Sequence, residues 1–149
     1  MNTKKLQLEQ LTEVLSDVRV PSRPRTGWVQ AIRTTLGMTT RQLAERLGIA
    51  QSTVVALEKS EADERITLHS LRRAAEALDC ELRYVLVPRQ SLKERVEQRA
   101  EHVAHKAVSG VTHTMGLEDQ APSSAHSNRM TKEEKERALA GRWGRLWER

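Results

Sequence analysis

Met38-Thr39-Thr40-Arg41-Gln42-Leu43-Ala44-Glu45-Arg46-Leu47-Gly48-Ile49-Ala50-Gln51-Ser52-Thr53-Val54-Val55-Ala56-Leu57-Glu58-Lys59-Ser60 reads as two short helices joined by a tight turn. Thr39 can cap the first helix, and Gln42, three residues on, can return a hydrogen bond to the cap's own amide, a capping box. Leu43 and Leu47 then share one face with Ala44 beside them, and Gly48 supplies the left-handed residue that ends a helix. Ile49 plugs the turn. The second helix starts at Gln51 with Val54 and Leu57 on its inner face, which leaves Gln51, Ser52, Val55, Ala56 and Lys59 facing outward. A ridge of short, nearly uncharged side chains suits insertion into a groove.

The rest of the composition fits a small helical protein. Of 149 residues 38% are hydrophobic and only 3% aromatic, without any Phe, so the core must be built from Leu, Val, Ile and Ala. No 18-residue apolar run and no secretory pattern is present, which makes a cytoplasmic protein without membrane association the expectation. The single Cys80 cannot form an internal disulfide and reads as a small apolar side chain. The net charge of +5 is not evenly spread: Arg19, Arg23, Arg25, Arg33, Arg41 and Arg46 stand against the single acid Glu45 between Val18 and Leu47. That local excess, beside the two-helix stretch, points to a polyanionic partner.

Outward from the centre, Leu8, Leu11, Leu15 and Val18 predict a helix over 3–18, and Pro21 and Pro24 break it into a linker or basic arm. Trp28, Ile32 and Leu36 recur every four residues and predict the first helix of the domain proper, with Trp28 in the core. Thr67 caps a further helix carrying Leu68, Leu71, Ala75 and Leu78, which closes a bundle of four short helices. His69 there has no second ligand at a metal spacing. Over 81–87, Leu82, Tyr84 and Leu86 alternate with Arg83, Val85 and Val87, the period of a strand, and Pro88 stops it. With no second strand in the chain, the expected partner is the same strand of another copy, giving a homodimer.

Ser91 and Glu94 form another capping box, opening a helix lined by Leu92, Val96, Ala100, Val103 and Ala107. His102 and His105 lie three apart on it without accompanying ligands, so no metal and no cofactor is expected. Ala121 to Asn128, with Pro122 and several Ser, reads as a flexible connection. Thr131 with Glu134 caps a last helix whose end gathers Leu139, Trp143, Leu146 and Trp147, and whose Trp143, Leu146 and Trp147 read either as a docking segment for a partner or a second copy or as packing back onto this chain. The resulting division is an N-terminal helix and arm (1–24), a helix-turn-helix domain with its strand (25–88), a C-terminal helix (89–120), a linker (121–130) and a Trp-containing helix (131–149). No paired carboxylates, nucleophile with base, or phosphate-cradling loop stands at a usable spacing, so an enzyme is not expected.

Ala44, Gly48, Ile49, Val54 and Leu57 together resemble the phage-repressor (XRE) type of helix-turn-helix. The resemblance implies a mainly α, lambda-repressor-like bundle that binds double-stranded DNA. Carried over position by position, it places Gln51, Ser52, Val55 and Ala56 at base edges, with Gln51 suited to adenine, and Thr40, Arg41 and Lys59 at phosphates, with Arg33 and Arg46 as helpers. Ala50 departs from the pattern, which usually has Ser or Thr at the cap of the second helix. In a dimer, two such helices would meet major grooves about 34 Å apart on an inverted-repeat operator.

A wider likeness covers Gly27 to Arg33, Leu36 to Leu47, Val54 to Glu61, Ile66 to Leu68 and Ala75 to Pro88. With His113-Thr114-Met115 and Leu117-Glu118, these blocks are similar to the family called mobile mystery protein A. That likeness implies an XRE-type DNA-binding regulator, antitoxin-like, encoded upstream of a Fic-domain protein that is its companion. The Ser or Thr followed four residues later by Glu and then Gly or Asn, frequent in Fic inhibitors, does not occur: no Glu here precedes Gly or Asn. Neutralisation of such a companion would therefore use other contacts or act through transcription.

Overall fold

The computed structural model describes residues 3–117 and 123–149. Among them the regular structure is helical: α1 (Thr3–Ser16), α2 (Trp28–Thr35), α3 (Thr40–Leu47), α4 (Gln51–Ala62), α5 (Leu68–Ala77), α6 (Leu92–Leu117), α7 (Ser124–Ala140) and a 3-10 turn, Trp143–Trp147. The chain divides into two compact units, one of residues 19–86 and the other of the N-terminal segment with residues 87–149.

In the first unit, α2 to α5 enclose a core of Val29, Leu43, Ala44, Val54, Ala74 and Leu78. Local chemistry sets the ends of α3. Thr39 Oγ1 accepts from the Gln42 amide at 3.1 Å while the Thr39 amide donates to Gln42 Oε1 at 2.9 Å. Gly48 closes the helix at φ 67°, ψ 33°, a left-handed geometry that costs a residue with Cβ about 1–2 kcal/mol. Thr67 caps α5 by accepting from the Ser70 amide at 3.1 Å.

The start of α2 is fixed from a distance. Glu61, at the end of α4 and only 3% exposed, accepts from the Trp28 amide on Oε2 and the Val29 amide on Oε1, each at 2.8 Å. A buried carboxylate thus satisfies two of the free donors at a helix N-terminus and meets the positive end of its dipole. Gly27 makes room for it: φ is +86°, and a Cβ there would stand 2.6 Å from Glu61 Oε1. Arg23 bonds the other side of the same corner, donating to the Glu61 carbonyl at 3.3 Å and to Glu64 Oε1 at 3.3 Å. That residue of the basic arm is an ordered tether.

The strand expected over 81–87 is not formed, and the pairing of that strand across a dimer goes with it. Among the described residues, 81–88 make no backbone–backbone hydrogen bond. Alternation of apolar side chains specifies two faces but no ladder partner, and without one an extended segment remains irregular. Leu82 is half-buried, whereas Tyr84 and Leu86 are 67% and 86% exposed. Trp28 is also less enclosed than its spacing suggested, lying 37% exposed at the rim of the core.

In the second unit, α1, α6, α7 and the 3-10 turn meet around Val96, Ala100 and Leu146, with Leu8, Val103, Ala138, Leu139 and Trp143 packed against them. α7 begins at Ser124, capped by Ser123, whose side chain accepts from the His126 amide at 3.2 Å. Of the expected linker 121–130, residues 121 and 122 lie outside the described residues, as do 118–120 at the end of the expected helix 89–120, while 124–130 are helical. Ser, Asn and His in that stretch lower helix propensity only modestly, and packing against α6 outweighs it. The expected single helix to the C-terminus instead ends at Ala140, and the chain turns at Gly141 into the 3-10 segment. Among the described residues no helix is long and apolar enough to cross a membrane.

Candidate nucleic-acid interface

α4 buries Val54, Glu58 and Glu61, one side of the helix at spacings of four and three, so its opposite side must face solvent. Ser52, Val55 and Ala56 lie toward that outer side and are exposed, Val55 at 53%, while Gln51, three residues before Val54, is exposed because it stands at the first position of the helix. Lys59 is exposed two turns further along the same helix.

Gln51 is held before any ligand arrives. Its Nε2 donates to Thr40 Oγ1 at 2.8 Å, which joins the first residue of α4 to the first residue of α3. The bond uses one amide hydrogen and leaves the other, together with Oε1, free. Those two groups are the donor and acceptor that pair with N7 and N6 of adenine. Because Thr40 accepts in this bond, its own hydroxyl hydrogen is free for an anion next to the α3 N-terminus, where the helix dipole favours negative charge.

The arginines divide by role. Arg41 extends with 78% of its side chain exposed, beside Glu45 at 3.5 Å, an exposed pair that holds it weakly. Arg46 is exposed but donates Nη1 to the Ala77 carbonyl at 3.3 Å, so it also serves the C-terminal end of α5. Arg33, expected as a phosphate helper, is 8% exposed and points inward. Its guanidinium grips Glu58 with two bonds, Nε to Oε1 at 2.5 Å and Nη2 to Oε2 at 3.1 Å, and donates Nη1 to the Met38 carbonyl at 2.8 Å. Buried and fully engaged, it locks α2 to α4 and cannot reach a phosphate.

Ala50 takes the extended geometry of a cap, φ −72°, ψ 149°, yet provides no side-chain hydrogen bond to α4. The Thr53 amide in that first turn donates instead to the Ala50 carbonyl at 3.0 Å. Sequence reasoning missed Glu58, Glu61, Gly27 and the inward turn of Arg33. A signal was available for the pair, since Glu58 follows Val54 by four residues and Arg33 follows Val29 by four, which puts both charges in phase with the core.

Residues 29–85 match the family model described as Helix-turn-helix. The chain carries an XRE-type helix-turn-helix domain. The matched range takes in all of α3 and α4, so the helix-turn-helix pair falls where the spacing of Thr39, Gly48 and Val54 put it. Comparison with curated proteins and with solved structures returns no match. The domain supports a DNA-binding regulator of the XRE type.

The residues expected for partner contact stand elsewhere. Leu146 is 1% exposed inside the second unit, and Trp143 is half-buried with its Nε1 donating to the Leu139 carbonyl at 2.8 Å. Trp147 is 47% exposed beneath the Arg95 guanidinium, 5.7 Å from the ring centre, in cation–π geometry.

Proposed function

We propose that the protein is a sequence-specific repressor, acting as a homodimer on an inverted-repeat operator near its own gene, and doing no enzymatic chemistry. The observation that carries this reading is the exposed head of α4, with Gln51 oriented by Thr40 and no charge of its own to blur sequence discrimination. Ser52, Val55 and Ala56 supply short contacts beside it, and Thr40, Arg41, Lys59 and Arg46 supply the phosphate contacts that set register. The exposed Tyr84 and Leu86 are the surface assigned to contact between two copies. Resemblance to the mobile mystery protein A family supports a further role as the antitoxin-like companion of a Fic-domain protein.

The test is selection of duplexes from a randomised library, followed by footprinting of the region upstream of the gene. Enrichment of an inverted repeat with half-site centres about 10 base pairs apart is expected. Binding should weaken steeply with salt, as phosphate contacts require. Failure to enrich any sequence would end the proposal. A second reading, direct binding of the companion through the C-terminal segment, is favoured by the exposed face of Trp147. It is tested with Trp147→Ser, because removing the whole segment would also remove Leu146 from the core. Unchanged binding of the neighbouring gene's product to that variant would count against it.

A further inference from the structure

A trough of about 270 Å³ runs between α6 and α7 in the second unit. Its floor is apolar, with Val103, Ala107, Ala138 and the buried Leu146 among its residues, and Arg137, Arg142 and Arg145 stand along its rim. The guanidinium groups of Arg142 and Arg145 make no hydrogen bond or ion pair among the described residues, whereas Arg137 pairs with Glu134. Nor are those arginines needed to hold the segment in place. Arg99 does that, donating Nε to the Leu146 carbonyl and Nη2 to the Glu148 carbonyl at 2.8 Å. Two unspent cations therefore border an apolar cleft.

The complementary surface lies on the same chain. α1 packs Leu8 against the core and leaves Leu6, Leu11 and Val14 exposed at 42%, 51% and 70%. Glu13 and Asp17 are exposed, one turn apart, and their carboxylates make no ion pair among the described residues. They stand at the C-terminal end of a helix that has no basic residue in its last turn, where the dipole disfavours acids unless a cation comes near. A neighbouring copy's arginines would relieve that misfit.

From this charge match we infer that the outward face of α1 from a second copy seats in the arginine-rimmed trough. Val14 and Leu6 lie toward the apolar floor, with Glu13 and Asp17 against Arg142 and Arg145. Two copies that exchange the contact reciprocally form a closed pair. This self-contact does not depend on DNA binding or on the Tyr84 and Leu86 surface. DNA phosphates would meet the arginines but leave the apolar floor unmatched.

The experiment is sedimentation equilibrium of the full chain carrying Tyr84→Ser and Leu86→Ser, so that the other proposed contact is absent. The parent should self-associate, less so at high salt. Arg142→Glu with Arg145→Glu should weaken association by about tenfold or more, and Glu13→Arg with Asp17→Arg should do the same. Mixing the two variants should restore association, because each presents the charge the other lacks. Should the arginine reversal disturb folding by circular dichroism, Arg142→Gln with Arg145→Gln replaces it. A monomeric parent, reversals without effect, or a mixture that fails to associate would each overturn the inference. So would sensitivity to the arginine reversal but not to the α1 reversal, since the trough would then hold a different partner.

Discussion

Replacing Glu61 by Ala should unfasten the start of α2, and the size of the effect follows from two hydrogen bonds. The carboxylate takes the Trp28 and Val29 amides at 2.8 Å each while 3% exposed. Bonds to a charged partner contribute about 1.5–3 kcal/mol apiece, so their joint loss should cost about 3–6 kcal/mol. Small domains have only about 5–15 kcal/mol of stability in total. Gly27 provides an internal control. In the parent protein Gly27→Ala brings a Cβ to 2.6 Å from Oε1 and adds left-handed strain at φ +86°; with Glu61 already replaced, only the strain remains, about 1–2 kcal/mol. The double variant should therefore lose less than the sum of the single losses by about 1 kcal/mol or more. Amide hydrogen exchange read by NMR at Trp28 and Val29, with urea unfolding of the same variants, measures both quantities. Unchanged protection of those two amides in Glu61→Ala, or strict additivity with Gly27→Ala, would refute the reasoning.

Arg33→Ala should destabilise the first unit by about 3–5 kcal/mol, because it strands the Glu58 carboxylate in the core. Arg33→Met with Glu58→Leu should recover most of that loss, as urea unfolding would show. Ala50→Ser should stabilise α4 by about 0.5–2 kcal/mol in the same assay, since the backbone is already extended as a cap requires. Thr40→Val removes the hydroxyl that receives Gln51 Nε2 while keeping a similar volume. It should relax base preference in a binding selection as well as lower affinity.

Which features the sequence revealed depended on how far apart their partners lie in the chain. The Thr39 and Gln42 capping box and the Gly48 turn are encoded within ten residues of one another, and both formed as spaced. The outward set on α4 followed nearly as simply, since placing Val54 inside leaves Ser52, Val55 and Ala56 outside, and Gln51 is uncovered as the first residue of the helix. Contacts between distant residues were opaque. Nothing near Glu61 announces that its carboxylate caps a helix starting at Trp28, and counting the arginines as one basic cluster hid the phase of Arg33 with Val29, which turns it inward while Arg41 turns out. The alternation from Leu82 to Val87 misled because it satisfies a strand's side-chain pattern without providing a backbone partner. Trp143, Leu146 and Trp147 share one apolar segment in the sequence, but the break at Gly141 lets Leu146 enter this chain's own core.

The central claim is that Gln51 reads a base from the head of α4. It is tested most directly by measuring the affinity of the parent and of Gln51→Ala for the selected operator, with each base pair substituted in turn. The account predicts that the variant loses about 1–3 kcal/mol of discrimination at one base pair per half-site and little elsewhere. An equal loss on every duplex, random DNA included, would contradict it.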